Sequence, residues 1–174
     1  MANETEAAHA PGWAQRVLIG RNPKRTLLRI AILVVVSVVV FKLVLVPIQV
    51  EGGSMLPTYG DRSVNFVNRL AYVFHEPRRG DVVAIGLLAG RHVMYMKRIV
   101  GLPGETVAFH KGILHINGQP MAEPYVKLPG DWEREPEQIG PDQYYVVGDN
   151  RDMSWSGHMQ GRAKRENIVG KIVL

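Results

Sequence analysis

The run from Ile30 to Val50, IAILVVVSVVVFKLVLVPIQV, limits what this chain can become more than any other feature. About 20 apolar residues in a helix cross a hydrocarbon core of roughly 30 Å. Lys42 is its single charge, close enough to the far end to carry its ammonium to an interface, and Pro47 marks a change from helix to extended chain. A transmembrane helix is therefore expected over residues 30–46. Two other readings compete with it. A buried core helix would show a polar face, and so many β-branched residues would favour a strand in water. A cleaved signal peptide would place small residues of the A-x-A kind after its apolar stretch, where this chain has VPIQVEGGS.

The 174 residues leave room for one folded domain beside that run. Basic residues outnumber acidic ones by 21 to 16, and residues 1–29 hold much of the excess: Arg16, Arg21, Lys24, Arg25 and Arg29 against Glu4 and Glu6. A basic block ahead of an apolar span puts the N-terminus in the cytoplasm and the rest of the chain outside. The lipid bilayer is then the expected partner of this region. Because the excess does not sit on the folded part, no nucleic-acid partner is called for. The absence of cysteine excludes disulfides, thiolate metal sites and a thiol nucleophile. No cluster of ligands suggests a metal or organic cofactor, and nothing in the sequence fixes an oligomeric state. The expected organisation is a cytoplasmic basic tail over 1–29, disordered through residue 15, the span over 30–46, and an extracytoplasmic domain over 47–174.

Beyond the span no stretch has helical periodicity. Short runs rich in Val, Ile and Tyr recur between Gly, Pro, Asn and Asp, which predicts a mainly β domain. The expected strands cover residues 46–51, 64–68, 81–85, 92–100, 106–110, 113–116, 144–147 and 168–173. Asn117-Gly118 supplies the positive φ angles of a tight hairpin, and Pro103-Gly104 marks another turn. Residues 127–142, KLPGDWEREPEQIGPD, read as a long charged surface loop.

Two residues in this domain could carry chemistry. Ser54 lies in EGGSMLPT, where two glycines let the backbone approach a ligand and Pro57 stiffens the following turn. Gly-Gly-Ser is also ordinary loop sequence. Lys97 lies in HVMYMKRIV, whose alternation puts Val93, Tyr95, Lys97 and Ile99 on one face, with His92, Met94, Met96, Arg98 and Val100 on the other. Apolar neighbours would disfavour its ammonium form and let the amine accept a proton from a serine hydroxyl near neutral pH. A lone lysine on a strand can equally snorkel off a sheet edge, so these features leave the choice open.

Four motifs in order after one span resemble the type I signal peptidases: GGSMLPT, MKRIVGLPGE, GDNRDMS and RENIVGKI. The resemblance runs from the basic N-terminus to the final strand. It implies a signal-peptidase-like catalytic domain that cuts secretory precursors after small residues. It further implies Ser54 as nucleophile and Lys97 as general base, with an acyl-enzyme intermediate. Ser154 matches the family position whose hydroxyl orients the lysine ammonium. Gly52 stands two residues before the nucleophile and offers no hydroxyl, so the oxyanion would rest on backbone N–H groups near Ser54. One departure stands out. Where relatives continue with Asp, Ser and Arg, this chain has Ser156, Gly157 and His158, so a supporting ion pair is missing, and Arg98 with Asp149 could pair instead.

His92, His110 and His158 are alternative bases, each also readable as a surface histidine. Leu56, Ile85 and Met96 are candidates for shallow pockets that accept alanine-sized side chains. Three other functions fit less of the chain. A maturation peptidase of conjugative transfer would share the dyad, a membrane-tethered binding module would hold precursors without cutting them, and a soluble self-cleaving repressor would have no use for the span.

Overall fold

The computed structural model describes residues 22–86, 94–157 and 160–173. Two units emerge, residues 1–40 and residues 41–174. In the first, helix α1 spans Pro23–Val39, with proline at its first turn, where its missing N–H is no loss. A π-helical turn, Val40–Val44, continues it. The whole helical stretch Pro23–Val44 is 22 residues, about 33 Å at 1.5 Å per residue, and none of it is buried. The helix thus begins seven residues before the expected span, because Lys24, Arg25 and Arg29 are good helix formers that extend it ahead of the apolar run. The tail read as disordered lies outside the described residues.

The second unit is mainly β, as expected. Its strands are β1 (Leu45–Gln49), β2 (Val64–Asn68), β3 (Val82–Gly86), β4 (Met94–Gly101), β5 (Thr106–His110) and β6 (Ile113–Ile116). They continue with β7 (Gln119–Pro120), β8 (Arg134–Gln138), β9 (Gln143–Val147), β10 (Gly161–Lys164) and β11 (Ile168–Val173). One sheet has seven strands in the order β1-β2-β11-β3-β4-β9-β10, and the other has four in the order β7-β6-β5-β8. All pairings within both sheets are antiparallel. The β6–β7 hairpin turns at Asn117 and Gly118, with φ of 51° and 79°, as Asn-Gly predicts.

Two strands, β8 and β10, were not expected from the sequence. β7 and β8 are the two edges of the smaller sheet, and each carries a proline, Pro120 or Pro136, which an edge tolerates because its outer N–H has no partner to lose. β8 lies inside the stretch read as a surface loop. That stretch also buries Trp132 and Ile139, so it closes the smaller sheet.

The domain has three apolar clusters. Val100, Val107, Phe109, Leu114, Ile116, Trp132, Ile139, Tyr145 and Val147 fill the space under the smaller sheet. Val50, Met55, Val67, Val82, Ala84, Met96 and Ile172 lie together on one side of the larger sheet, and Tyr72, Val83, Ile99, Tyr144, Val146, Ala163 and Ile168 on the other. A strand covered on both faces has no solvent side, and β4 is such a strand from Met96 onward, save for the partly covered Arg98. Lys97 sits in that covered part.

Candidate active site

Ser54 follows Gly52, whose φ of 90° only a glycine adopts readily, in a turn between β1 and β2. The turn packs on the segment after β9. Asn150 N–H donates to the Ser54 carbonyl at 3.0 Å, and Asn150 Nδ2 donates to the Gly53 carbonyl at 3.0 Å. A Cβ on Gly148 would lie 2.1 Å from the Ser54 carbonyl oxygen, so only glycine permits this approach. Ser54 itself is half-buried.

β4 brings Lys97 to the same point from the opposite side of the sequence. Its Nζ lies 2.7 Å from Ser54 Oγ, and the residue is 2 % exposed. Burial penalises its ammonium and lowers the pKa to about 8, with the negative charge of Asp149 opposing part of that shift. Asp149 makes no hydrogen bond to the amine, and its oxygens are engaged elsewhere. Arg98 Nε and Nη2 grip them at 2.8 and 2.6 Å, and Thr58 Oγ1 donates at 2.6 Å. Arg98 also donates to the Gly80 carbonyl and lies 4.0 Å over the Tyr125 ring. A fixed bidentate pair beside the lysine therefore holds the strand without neutralising the amine.

Other residues singled out in the sequence stand elsewhere. Ser154 is exposed and forms no hydrogen bond with Lys97, contrary to what the resemblance implies for it. The next residue, Trp155, packs edge-on against Trp132 and Phe109 at centroid distances of 5.0 and 6.0 Å, with Arg134 over its ring, and this packing carries the segment toward the smaller sheet. Gly52 N–H donates to Asp61 Oδ1 at 2.8 Å and is not free to receive an oxyanion. Ile85 and Met96 fall in clusters on opposite sides of the larger sheet, so they cannot line one pocket together. His110 is on the smaller sheet, paired with Glu133. His92 and His158 lie outside the described residues. Among the described residues no group of three or more His, Asp or Glu side chains could hold a metal ion.

Sequence reasoning missed the polar support. Arg151 is buried behind Gly148, donating to its carbonyl at 2.8 Å and to both oxygens of Glu123 at 2.9 and 2.6 Å. The motif GDNRDMS contained Asn150 and Arg151, yet a sequence does not say which charged residues lie inside.

Residues 24–174 match the family described as signal peptidase, peptidase S26. The chain belongs to that family. Among relatives, signal peptidase I of Leptolyngbya laminosa is 38 % identical over 128 residues, covering 70 % of this chain and 63 % of that protein. Signal peptidase I of Bacillus caldolyticus is 35 % identical over 137 residues, or 71 % of this chain and 74 % of that one. Signal peptidase I V of Bacillus subtilis (strain 168) is 33 % identical over 154 residues, or 80 % and 90 %. A solved signal peptidase I from Enterococcus faecalis V583 aligns with a TM-score of 0.44 and 25 % identity, over 56 % of this chain and 97 % of that one. The matched region of this peptidase family contains the Ser54 turn, β4 and the Gly148–Arg151 segment together.

Proposed function

We propose that this chain is a membrane-bound serine endopeptidase that removes signal peptides from secretory precursors, cutting after small residues with a Ser54/Lys97 dyad. The observation that carries this reading is the 2.7 Å contact between Ser54 Oγ and a buried lysine amine whose pKa is lowered to about 8. A neutral amine has a lone pair to accept the serine proton, and burial makes neutrality accessible near physiological pH.

In the first step Lys97 Nζ takes the Ser54 hydroxyl proton as Oγ attacks the scissile carbonyl carbon. The tetrahedral oxyanion is received by backbone N–H, since Gly52 supplies no hydroxyl. The Lys97 ammonium then gives its proton to the amide nitrogen, the C–N bond breaks, and the mature protein leaves with Ser54 acylated. A water next loses a proton to Lys97 and attacks the ester, and the proton returns to Ser54 as the signal peptide departs. Arg98, fixed on Asp149, holds β4 in register during these transfers.

The Pro23–Val44 helix is read as a single-pass anchor in the cell (inner) membrane, its N-terminal side cytoplasmic by the positive charges that precede its apolar run, and its catalytic domain extracytoplasmic. Ser54 is ten residues past the end of that helix, which suits a substrate whose cleavage site lies just outside its own apolar core. The test is incubation of the purified full-length protein and its Ser54→Ala form with a synthetic precursor, the products read by mass. A single cut after a small residue by the wild type alone supports the reading. Equal cutting by both forms, or none by either, contradicts it.

A further inference from the structure

The hydrogen bonds behind the nucleophile bear on where the oxyanion donor points. In a trans peptide the C=O and the following N–H point in opposite directions, so holding one aims the other. The Gly53 carbonyl shares its peptide plane with Ser54 N–H. Asn150 Nδ2 grips that carbonyl at 3.0 Å from behind, while Asn150 N–H grips the next carbonyl, that of Ser54, at 3.0 Å. Two consecutive peptide planes are thus pinned by one residue, and Ser54 N–H is turned away from it. Among the described residues Ser54 N–H has no acceptor, whereas Gly52 N–H is already taken by Asp61.

Asn150 is well placed for such a task. It is 8 % exposed, Gly148 removes the Cβ that would keep its segment from Ser54, and the buried Arg151 secures the segment to Gly148, Leu128 and Glu123. Only a donor can face the Gly53 carbonyl, which sets the amide with Nδ2 inward and leaves Oδ1 buried without a partner. An unpaired buried acceptor disfavours the fold, so the amide carries a cost beside the one bond it makes to the Gly53 carbonyl.

We propose that Asn150 is a positioning residue for the oxyanion site, its side-chain amide holding the Gly53–Ser54 peptide so that Ser54 N–H faces the oxygen of the attacked carbonyl. It touches neither substrate nor the reacting atoms. Its effect is felt where that oxygen carries charge, in the transition state, and not in binding of the ground-state peptide. This assignment rests on the peptidase reading above.

The test compares full-length wild type, Asn150→Ala and the equal-volume Asn150→Asp in detergent, with one synthetic precursor peptide and one peptide aldehyde of the same sequence. Ser54 Oγ adds to the aldehyde carbon, the hydroxyl proton ends on the former carbonyl oxygen, and the resulting hemiacetal places that oxygen where the oxyanion forms. Asn150→Ala should lower kcat about 10- to 100-fold, less than loss of a donor itself, because the backbone grip on Ser54 remains. KM should stay within about twofold, and the aldehyde should bind weaker in the same proportion as kcat falls. Asn150→Asp, which turns the donor into an acceptor facing the Gly53 carbonyl, should lose at least as much, and the acid limb of the pH profile should not move in Asn150→Ala. A kcat within about threefold of wild type, or a loss confined to KM with aldehyde binding unchanged, overturns the assignment. Wild type that fails to cut overturns the peptidase reading as well, which separates the two failures.

Discussion

Lys97 and Arg151 are both buried basic side chains, 2 % and 1 % exposed, one near the middle of the larger sheet and one between the segment after β9 and the aromatic cluster of the smaller sheet. Their surroundings differ in every other respect. Arg151 meets Glu123 with two parallel hydrogen bonds, a backbone carbonyl with a third, and the faces of Phe109 and Trp132 at 5.4 and 5.5 Å. Lys97 meets one serine hydroxyl, and the nearby carboxylate of Asp149 is spent on Arg98 and Thr58. A guanidinium cannot shed its charge and must be given a partner; an ammonium denied one gives up its proton. The same degree of burial therefore holds a fixed cation in one place and, in the other, an amine that gives up its proton readily.

The sharpest way to break this contrast is to put the wrong cation at position 97. Lys97→Arg and Lys97→Ala should each lower precursor cleavage by about four orders of magnitude or more, as Ser54→Ala should, measured as kcat/KM on a synthetic precursor. Arginine would keep a positive charge at the site and still be unable to accept the proton. Next in size is the converse change. Glu123→Ala strands Arg151 without its carboxylate and should lower unfolding free energy by about 3 to 5 kcal/mol, seen in denaturant titration, while the pH limb of activity stays in place.

Lys97→Met should do the opposite. The unfolded chain holds the lysine proton up to pH 10.5, whereas the folded one loses it near 8. Between these values the unfolded state binds more protons, so wild-type stability rises with pH across that window, and below pH 8 the full penalty of about 3 kcal/mol applies. The methionine variant should be more stable than wild type by up to that amount at pH 7, with the advantage fading as pH climbs from 8 to 10.5. The smallest effect is expected at Asp149, whose charge raises the Lys97 pKa. Asp149→Asn should move the activity limb toward acid by less than about one pH unit.

How far the sequence foretold this depends on what each residue announces locally. β2, β5, β6 and β11 matched their expected ranges because branched and aromatic residues alternate between clear breakers. β8, with the sequence REPEQ, announces nothing: it is charged, exposed and interrupted by Pro136, and it is a strand only because β5 offers an edge to pair with. β10, with GRAK, has the alternation but no branched residue to signal it. At the site, Ser54 and Lys97 are 43 positions apart and could be joined only through motif order, while the Arg98–Asp149 pair, which the sequence offers as a substitute for the missing ion pair, is present in the structure. Ser154 makes no hydrogen bond to Lys97, and its placement goes with Trp155, whose aromatic partners are set by tertiary packing. Burial of Arg151, Asp149 and Asn150 is likewise a property of the assembled sheets, not of any local window.

One profile tests the central claim, that Lys97 is a base because it is buried without an ionic partner. The kcat/KM of wild-type enzyme, followed from pH 6 to 10, reports titration of the free enzyme. It should rise on a single limb centred near pH 8, as Lys97 loses its proton. A limb in the histidine range near 6.5, or one delayed beyond pH 10 where an exposed lysine titrates, would contradict it.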